Sequence, residues 1–278
     1  MSLNGFNTLL VGATGTGKTY SIRSLIDAGI TPFVLFTEPG MVTLGDIKCD
    51  KLHWHYIPPA TPTWDMMIDS ATKINSMTLE GLAKLGGINK SGYSQFRDVL
   101  STLANFKCDR CGECFGDVTT WGADRAIVID SLSGLNIMAM DLVVGSKPVK
   151  SMSDWGIAMD NLERLVNKLC ADTRCHFVLT AHLERETDEV TGGVQLMAST
   201  LGKKLAPRLP RFFDDVVMCK REGTQFSWST ATVNADLKSR NLPITDKLEP
   251  NFRQIAAGWA ASGGVIPKLE KEPEVKEA

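Results

Sequence analysis

A glycine-rich octapeptide near the start of the chain constrains its fold more than any other feature. It reads GATGTGKT over residues 12–19 and matches the pattern G-x-x-x-x-G-K-[ST]. The apolar residues 8–11 before it fit a buried strand, and residues 20–28 after it fit a helix that ends at Gly29. A strand, a glycine loop and a helix in this order are typical of a loop that holds nucleotide phosphates. An ordinary glycine-rich turn is the alternative.

The loop offers several kinds of contact to a triphosphate. Glycines let successive backbone N–H groups turn inward, and the N-terminus of the next helix favours an anion. We expect Lys18 to reach the β- and γ-phosphates and Thr19 to hold Mg²⁺. We therefore predict ATP and Mg²⁺ as cofactors. The predicted nucleotide contacts are Gly12, Ala13, Thr14, Gly15, Thr16, Gly17, Lys18, Thr19 and Tyr20.

Composition limits the class of protein. A chain of 278 residues, 43% of them hydrophobic, can bury the core of one large α/β domain or two small ones. The net charge of −2 argues against a wholly basic nucleic-acid binder but permits a local basic surface. Seven cysteines, an odd number, favour a reducing cytoplasm over a disulfide framework. No apolar run reaches the roughly 18 residues of a membrane span, so we predict no membrane partner and a cytoplasmic location.

Apolar runs that fit strands alternate with helical patterns along the chain. The strands are predicted at residues 32–37, 125–130, 176–181, 215–219 and 226–233. The clearest amphipathic helix covers residues 153–172, and another with an apolar stripe begins after Thr63. This alternation predicts an α/β fold, a mainly parallel sheet with helices on both faces. We expect a core over residues 1–262 with an inserted segment at about 58–122, and a disordered charged tail over 263–278.

Three polar residues lie at the ends of predicted strands. They are Glu38, Asp130 and His182. The carboxyl ends of parallel strands meet at one edge of a sheet, where ligands bind. There Asp130 can contact Mg²⁺, Glu38 can orient the attacking water and His182 can sense the γ-phosphate. The alternatives are an aspartate that caps a turn, a solvated glutamate and a hydrogen-bonded structural histidine.

The strand ends together carry GATGTGKT, FVLFTEPG, AIVIDSLSGL and FVLTAHLERE, in that order. This order resembles the RecA-like P-loop NTPase core over roughly residues 5–255. It is most similar to short phage-encoded RecA-like proteins that anneal single-stranded DNA. The resemblance implies that Glu38 is the catalytic base and that Asp130 is associated with magnesium. It implies that His182 stands where RecA has a glutamine that senses the γ-phosphate.

RecA-like proteins also assemble, and the resemblance implies a ring or filament with ATP at the subunit boundaries. Basic residues of one subunit enter the neighbour's site in such assemblies. The candidates here are Lys238 and Arg240, which follow a predicted strand. The alternative is an exposed loop with two solvated cations.

A candidate DNA-binding segment follows the sensor strand. Residues 190–213 contain no Asp or Glu, and the segment resembles the mobile DNA-binding loop of RecA-like proteins in position. Its cations, which can track a phosphate backbone, are Lys203, Lys204, Arg208 and Arg211. Phe212 and Phe213 can stack bases. The alternatives are that the two phenylalanines belong to the core and that the cations lie on a solvated or subunit-facing helix.

A cysteine cluster precedes the Asp130 strand. Cys108, Cys111 and Cys114 have the C-x-x-C-x-x-C spacing that can place thiolates around Zn²⁺. Zinc needs a fourth ligand, for which the candidates are Cys49, His53 and His55. The alternative is a turn of reduced thiols within the inserted segment.

The sequence and the resemblance together predict an ATPase, DNA-stimulated, that acts on single-stranded DNA in phage recombination or annealing. Phage or host single-strand-binding or replication proteins are the expected partners. One alternative is a helicase-like or packaging motor. Another is a nucleotide-gated adaptor that recruits replication partners through its charged tail. A small-molecule kinase is less favoured because no compact arginine-rich lid is recognisable in the sequence.

Overall fold

One mainly parallel sheet organises the chain. The computed structural model describes residues 3–85, 93–145, 147–187 and 192–265. The strands are β1 (Asn7–Gly12), β2 (Thr31–Phe36), β3 (His53–Tyr56), β4 (Arg125–Asp130), β5 (His176–Thr187), β6 (Val194–Ala198), β7 (Asp215–Glu222) and β8 (Gln225–Ser229). Their order across the sheet is β3-β2-β4-β5-β1-β7-β8, with β6 paired to β5.

The parallel part of the sheet contains β3, β2, β4, β5, β1 and β7. Strand β8 runs antiparallel to β7, and β6 runs antiparallel to the second half of β5. In β4 every residue except the first is buried, as expected of a parallel strand covered on both faces. The predicted α/β fold with a mainly parallel sheet is confirmed.

Helices cover both faces of the sheet. They are α1 (Lys18–Ser21), α2 (Ser24–Asp27), α3 (Trp64–Ser76), α4 (Leu79–Lys84), α5 (Gln95–Ala104), α6 (Leu132–Val144), α7 (Met152–Asp172), α8 (Gly202–Leu205) and α9 (Phe252–Ala261). Short 3₁₀ helices lie at Met41–Leu44, Val118–Thr120 and Ala206–Phe212. Side chains alternate along β4, so Ile127 and Ile129 pack with α5, α6 and α7, whereas Val128 packs with α2 and α9.

The long helix α7 forms as its apolar periodicity predicts. It begins after Ser151, whose side chain and that of Asp154 form a capping box. Leu162, Leu165 and Leu169 recur at the helical period and are buried against the sheet. Burial of one such leucine stabilises the fold by roughly 2 kcal/mol.

The predicted inserted segment divides into two parts. Helix α3 begins after Thr63, whose hydroxyl oxygen accepts a hydrogen bond from the Met66 N–H, but none of its residues, all of which the structure describes, is buried. Its apolar stripe is exposed, with Trp64 at 80%. Helix α5, in contrast, buries Phe96 and Val99 in the main core. The second part of the segment therefore packs as part of the core.

Two further expectations concern the tail and the membrane. The predicted disorder over 263–278 falls almost wholly on residues 266–278, which lie outside the described residues. Across the described ranges, every helix is too short or too polar to cross a bilayer.

Candidate active site

The phosphate loop lies between β1 and α1 and is closely packed. Gly15 and Gly17 have φ angles of 76° and 83°, in the left-handed region that favours glycine. A Cβ atom at Gly12 would lie 2.7 Å from both the Cys219 carbonyl oxygen and the Thr16 hydroxyl oxygen. The loop is therefore a tight cradle whose glycines are required by its shape.

Lys18 is folded over this loop. Its side chain is buried, and Nζ donates to the carbonyl oxygens of Gly12 at 2.7 Å and Ala13 at 2.9 Å. Burial lowers the pKa of the Lys18 ammonium, while nearby acidic groups, including Asp130 and Glu38, act in the opposite direction. The ammonium is therefore held by main-chain oxygens at the mouth of the cradle, where a phosphate would meet it.

Asp130 ends β4 beside the loop. The Thr19 hydroxyl donates to its Oδ2 at 2.7 Å, and the Thr180 hydroxyl donates to its Oδ1. Burial raises the pKa of the Asp130 carboxyl, whereas these two hydrogen bonds and the charge of Lys18 lower it. A hydroxyl and a carboxylate so close together are the hard oxygen ligands that Mg²⁺ prefers, so the residues fit the predicted metal.

Glu38 follows β2 at the same edge. Its Oε2 accepts from the Ser131 hydroxyl at 2.8 Å and lies 3.5 Å from Nε2 of His182. Ser131 is itself positioned by Thr37, because its N–H donates to the Thr37 hydroxyl oxygen at 2.9 Å and its carbonyl accepts from that hydroxyl at 2.7 Å. The side chains of Glu38 and His182 are 35% and 34% exposed, so both are anchored yet accessible.

These residues open onto one cleft of about 770 Å³. Residues 14–17 of the loop, Lys18, Thr19, Glu38, Asp130 and His182 all line it, whereas Gly12 and Ala13 do not. So does Tyr20, which is 58% exposed. The structure thus brings the predicted nucleotide, magnesium, base and sensor residues together.

Among the cleft residues that the sequence reasoning missed, three come from segments far from the predicted motifs. Phe226 comes from β8, and Glu249 and Pro250 come from the segment before α9. The Phe226 ring lies close to the loop, since a Cβ atom at Gly17 would be 3.1 Å from it. No local motif marks these residues, because only the pairing of β8 with β7 brings Phe226 to the loop.

The predicted basic pair lies at the opposite edge of the sheet, where β7 begins. Lys238 Nζ donates to the Phe213 carbonyl oxygen at 2.5 Å, and the Arg240 guanidinium pairs with Asp214 at 2.9 Å. The Arg240 N–H also donates to Asp215. Both residues differ from the expected free finger, because Lys238 already donates to a carbonyl oxygen and Arg240 is already paired with a carboxylate of its own chain.

The candidate DNA-binding segment also has partners that its sequence does not show. Glu163 of α7 pairs with Arg208 at 3.4 Å and also with Arg211. Phe213 is fully buried and stacks on Phe177, so it belongs to the core, which was the alternative to stacking on bases. Lys204 is exposed, and the side chain of Lys203 lies outside the described part of the structure.

The segment after His182 is more ordered than a mobile loop. Strand β5 continues to Thr187 and pairs with β6 from Leu183↔Ala198 to Thr187↔Val194. Residues 188–191 lie outside the described residues. The first part of the expected loop is therefore an antiparallel pair of strands, and its second part contains α8 and the 3₁₀ helix Ala206–Phe212.

The cysteine cluster has a different membership from the predicted one. The ligand atoms that meet belong to Cys49, His53, Cys108 and Cys111. Cys114 is exposed and lies outside this group; it forms a β-bridge with Lys107 in a short hairpin of residues 106–116. His55 instead contacts Asp109, with Nδ1 2.6 Å from Oδ1. Two candidates for the fourth ligand, Cys49 and His53, are thus both in the cluster, and Cys114 is not.

Comparisons with known proteins place the chain in a family. A family model described as an AAA domain matches residues 4–241. The chain belongs to this AAA domain family. A search of curated proteins finds no match. Among solved structures, the chain is similar to the one titled "Crystal structure of the RadB recombinase", with 11% identity, a TM-score of 0.39 and coverage of 89% of this chain and 86% of that chain.

The AAA domain assignment and the cleft agree. A phosphate loop, a buried aspartate beside its threonine and an accessible glutamate are the groups that ATP hydrolysis requires. The chain is therefore an ATPase-type protein with a P-loop α/β fold.

Proposed function

We propose that this protein hydrolyses ATP and couples the reaction to binding of single-stranded DNA. One observation carries the ATPase part. Lys18, Thr19, Asp130, Glu38 and His182 come from four separate strand ends and line a single cleft. This convergence supplies a cation for the phosphates, oxygen ligands for a metal and a carboxylate for water.

Each side chain has a defined task in this proposal. Lys18 leaves the carbonyl oxygens of its own loop and donates to the terminal phosphates instead. Mg²⁺ held by Thr19 and Asp130 would shield phosphate charge. Glu38 orients the attacking water and accepts its proton, while the Ser131 hydroxyl and His182 position the carboxylate.

Strand β5 supports coupling between the cleft and a distant surface. Its first half is buried in the sheet, and its second half continues past His182 into the hairpin with β6. The Ser199 N–H donates to the His182 carbonyl oxygen at 2.8 Å, so the hairpin returns to the same residue. A change at His182 on binding of the γ-phosphate would therefore act on both strands of the hairpin.

The hairpin leads into the basic segment that we propose as the DNA contact. Arg208 and Arg211 remain 53% and 57% exposed beside Glu163, and Lys204 is exposed nearby. DNA phosphates would compete with the Glu163 carboxylate for the two arginines, so we expect binding to be weak and sensitive to salt.

The RecA-like resemblance supports assembly into a ring or filament and a role in phage recombination or annealing. In such an assembly Lys238 and Arg240 would have to exchange their present partners for phosphate oxygens of a neighbour's ATP. The Arg240 side chain is 65% exposed, so a neighbouring subunit could reach it.

The decisive experiment measures the ATPase rate with and without single-stranded DNA across a range of protein concentrations. We expect the rate per chain to rise with both. Duplex DNA of equal length is the control. Directional unwinding of a forked duplex would indicate a motor instead. ATP binding with negligible turnover and no response to DNA would indicate a nucleotide-gated adaptor.

A further inference from the structure

Four metal-ligating side chains meet beside β3, remote from the cleft. Cys49 Sγ lies 3.8 Å from Cys108 Sγ and 3.8 Å from His53 Nδ1, and Cys111 Sγ lies 3.8 Å from the same nitrogen. All four ligand atoms lie within 4.8 Å of one another. We propose that these residues bind one Zn²⁺ ion in a tetrahedral site.

The distances between the ligand atoms fit coordination of one zinc ion and are too long for a disulfide bond. Zinc binds sulfur at about 2.3 Å and histidine nitrogen at about 2.0–2.1 Å, which places neighbouring ligand atoms of a tetrahedron roughly 3.5–3.8 Å apart. A disulfide requires about 2.05 Å between sulfurs. The observed 3.8 Å between Cys49 and Cys108 therefore matches two ligands of one ion.

The hairpin that carries Cys108 and Cys111 has the local structure of a metal-binding turn. The Gly112 N–H donates to the Cys108 carbonyl oxygen at 2.9 Å, and Gly112 has a φ of 73°, which favours glycine. The Arg110 N–H points at Cys108 Sγ, 3.4 Å away. Such N–H groups around ligand sulfurs orient them and stabilise their negative charge.

His53 is held in place by two aromatic rings. It stacks on Phe33 with centroids 4.7 Å apart and contacts Phe115 at 4.3 Å. Cys108 is fully buried and His53 is 7% exposed, so half of the ligand set is already removed from water. Ordering these two side chains costs little when the ion binds, because packing has fixed them.

Contacts outside the ligand set join the two segments. The Arg110 guanidinium donates to the carbonyl oxygens of Ile47 at 2.6 Å and Leu52 at 3.1 Å, and it covers the Trp54 ring at 4.3 Å. The Asp109 N–H donates to the Trp54 carbonyl oxygen at 2.8 Å. The hairpin thus lies along β3, an edge strand of the described sheet.

The site is structural in character. Four protein ligands complete a tetrahedron and leave no position for a substrate. The ion would fasten the hairpin of residues 106–116 over the edge of β3, which would otherwise offer unpaired backbone groups. Its ligands do not overlap with the residues that line the nucleotide cleft.

The test compares two exposed cysteines of the same hairpin. Full-length protein is purified without chelator, and its zinc is measured by elemental mass spectrometry. We expect one zinc per wild-type chain, loss of it in Cys111→Ser, and retention in Cys114→Ser. Wild-type protein that holds no zinc after incubation with Zn²⁺ would overturn the proposal. Equal loss in both variants would overturn this ligand set.

Two further measurements protect the test against misfolded variants. His53→Cys should keep zinc through four thiolates, whereas His53→Ala should lose it. In wild-type protein, a chelator should lower the Tm by on the order of 10 °C, reversibly with added Zn²⁺. An unchanged Tm together with a Cys49–Cys108 disulfide under non-reducing conditions would contradict the site. ATPase activity measured on the same samples separates this result from the proposed function, since either can fail alone.

Discussion

The two histidines of β5 have different roles. His176, at the amino edge of the sheet, is fully buried; its Nδ1 accepts from the Phe6 N–H at 3.1 Å and its Nε2 lies 3.0 Å from the Ala123 carbonyl oxygen. His182, at the carboxyl edge, is partly exposed and faces Glu38 across the cleft. The first histidine therefore holds the fold together, and the second faces a site that a ligand can enter.

The same contrast holds for the charged residues at the two edges. At the amino edge, Asp215 accepts hydrogen bonds from Arg240 and Asn241, and Lys238 is bound to a carbonyl oxygen. At the carboxyl edge, Glu38 is anchored on one oxygen by a hydroxyl and stays accessible. A charged residue therefore indicates a binding site only where the fold leaves it accessible and not fully engaged by partners of its own chain.

The largest effect should follow from Lys18→Ala. Removing the ammonium leaves the terminal phosphates without their cation, so we expect ATP affinity and turnover to fall by at least about 100-fold. Fluorescent nucleotide titration and a phosphate-release assay measure the two quantities. Lys168→Ala removes an exposed cation from the end of α7 that leads into β5 at the amino edge; it is the control and should bind ATP normally. Equal loss of ATP binding in both variants would contradict a nucleotide site at the carboxyl edge.

A second variant, Glu38→Gln, separates binding from chemistry. The amide keeps the size of the side chain but cannot accept the proton of water, so turnover should fall by about 10²- to 10⁴-fold while ATP binding persists. Steady-state ATPase rates and nucleotide affinity test this. Glu249→Gln changes another carboxylate of the cleft and should have a small effect. Normal turnover in the Glu38 variant would exclude it as the base.

His176 should make stability depend on pH. Burial lowers the pKa of His176 to about 4, below its usual 6.5, so the unfolded chain binds more protons between these values. Stability is fully present above pH 6.5 and is lost as pH falls towards 4. Between pH 7 and 5 the loss is about 2 kcal/mol. Urea unfolding at the two pH values measures it. The change in unfolding free energy with pH should become smaller in His176→Phe and persist in His182→Gln. An unchanged pH dependence in His176→Phe would show that other groups cause it.

The smallest effect concerns the surface of α7. Glu163→Gln removes the carboxylate that neutralises Arg208 and Arg211, so affinity for single-stranded DNA should rise several-fold, with a steeper salt dependence. Fluorescence anisotropy at two salt concentrations measures both. Asp160→Asn, on the same helix and paired with Arg164, is the control. A response to Asp160→Asn as large as that to Glu163→Gln would show only a general charge effect.

Local patterns predicted some helices and missed others. Helix α7 is amphipathic, and its period of apolar residues indicates both its extent and its buried face. Helix α6 was not recognised, because it is apolar nearly all round and resembles a buried segment of either kind. Helix α3 has a clear stripe, yet the fold leaves that stripe exposed. Periodicity thus shows that a face is apolar but not what covers it.

By itself, the sequence determined the phosphate loop, the main strands and the edge at which Glu38, Asp130 and His182 meet. It could do so because parallel strands bring their carboxyl ends to one side of a sheet whatever their order. Only the tertiary structure decided that Cys49 and His53 join Cys108 and Cys111, and that Glu163 neutralises two arginines. Those contacts join segments far apart in the chain, and packing alone determines which side chains become neighbours.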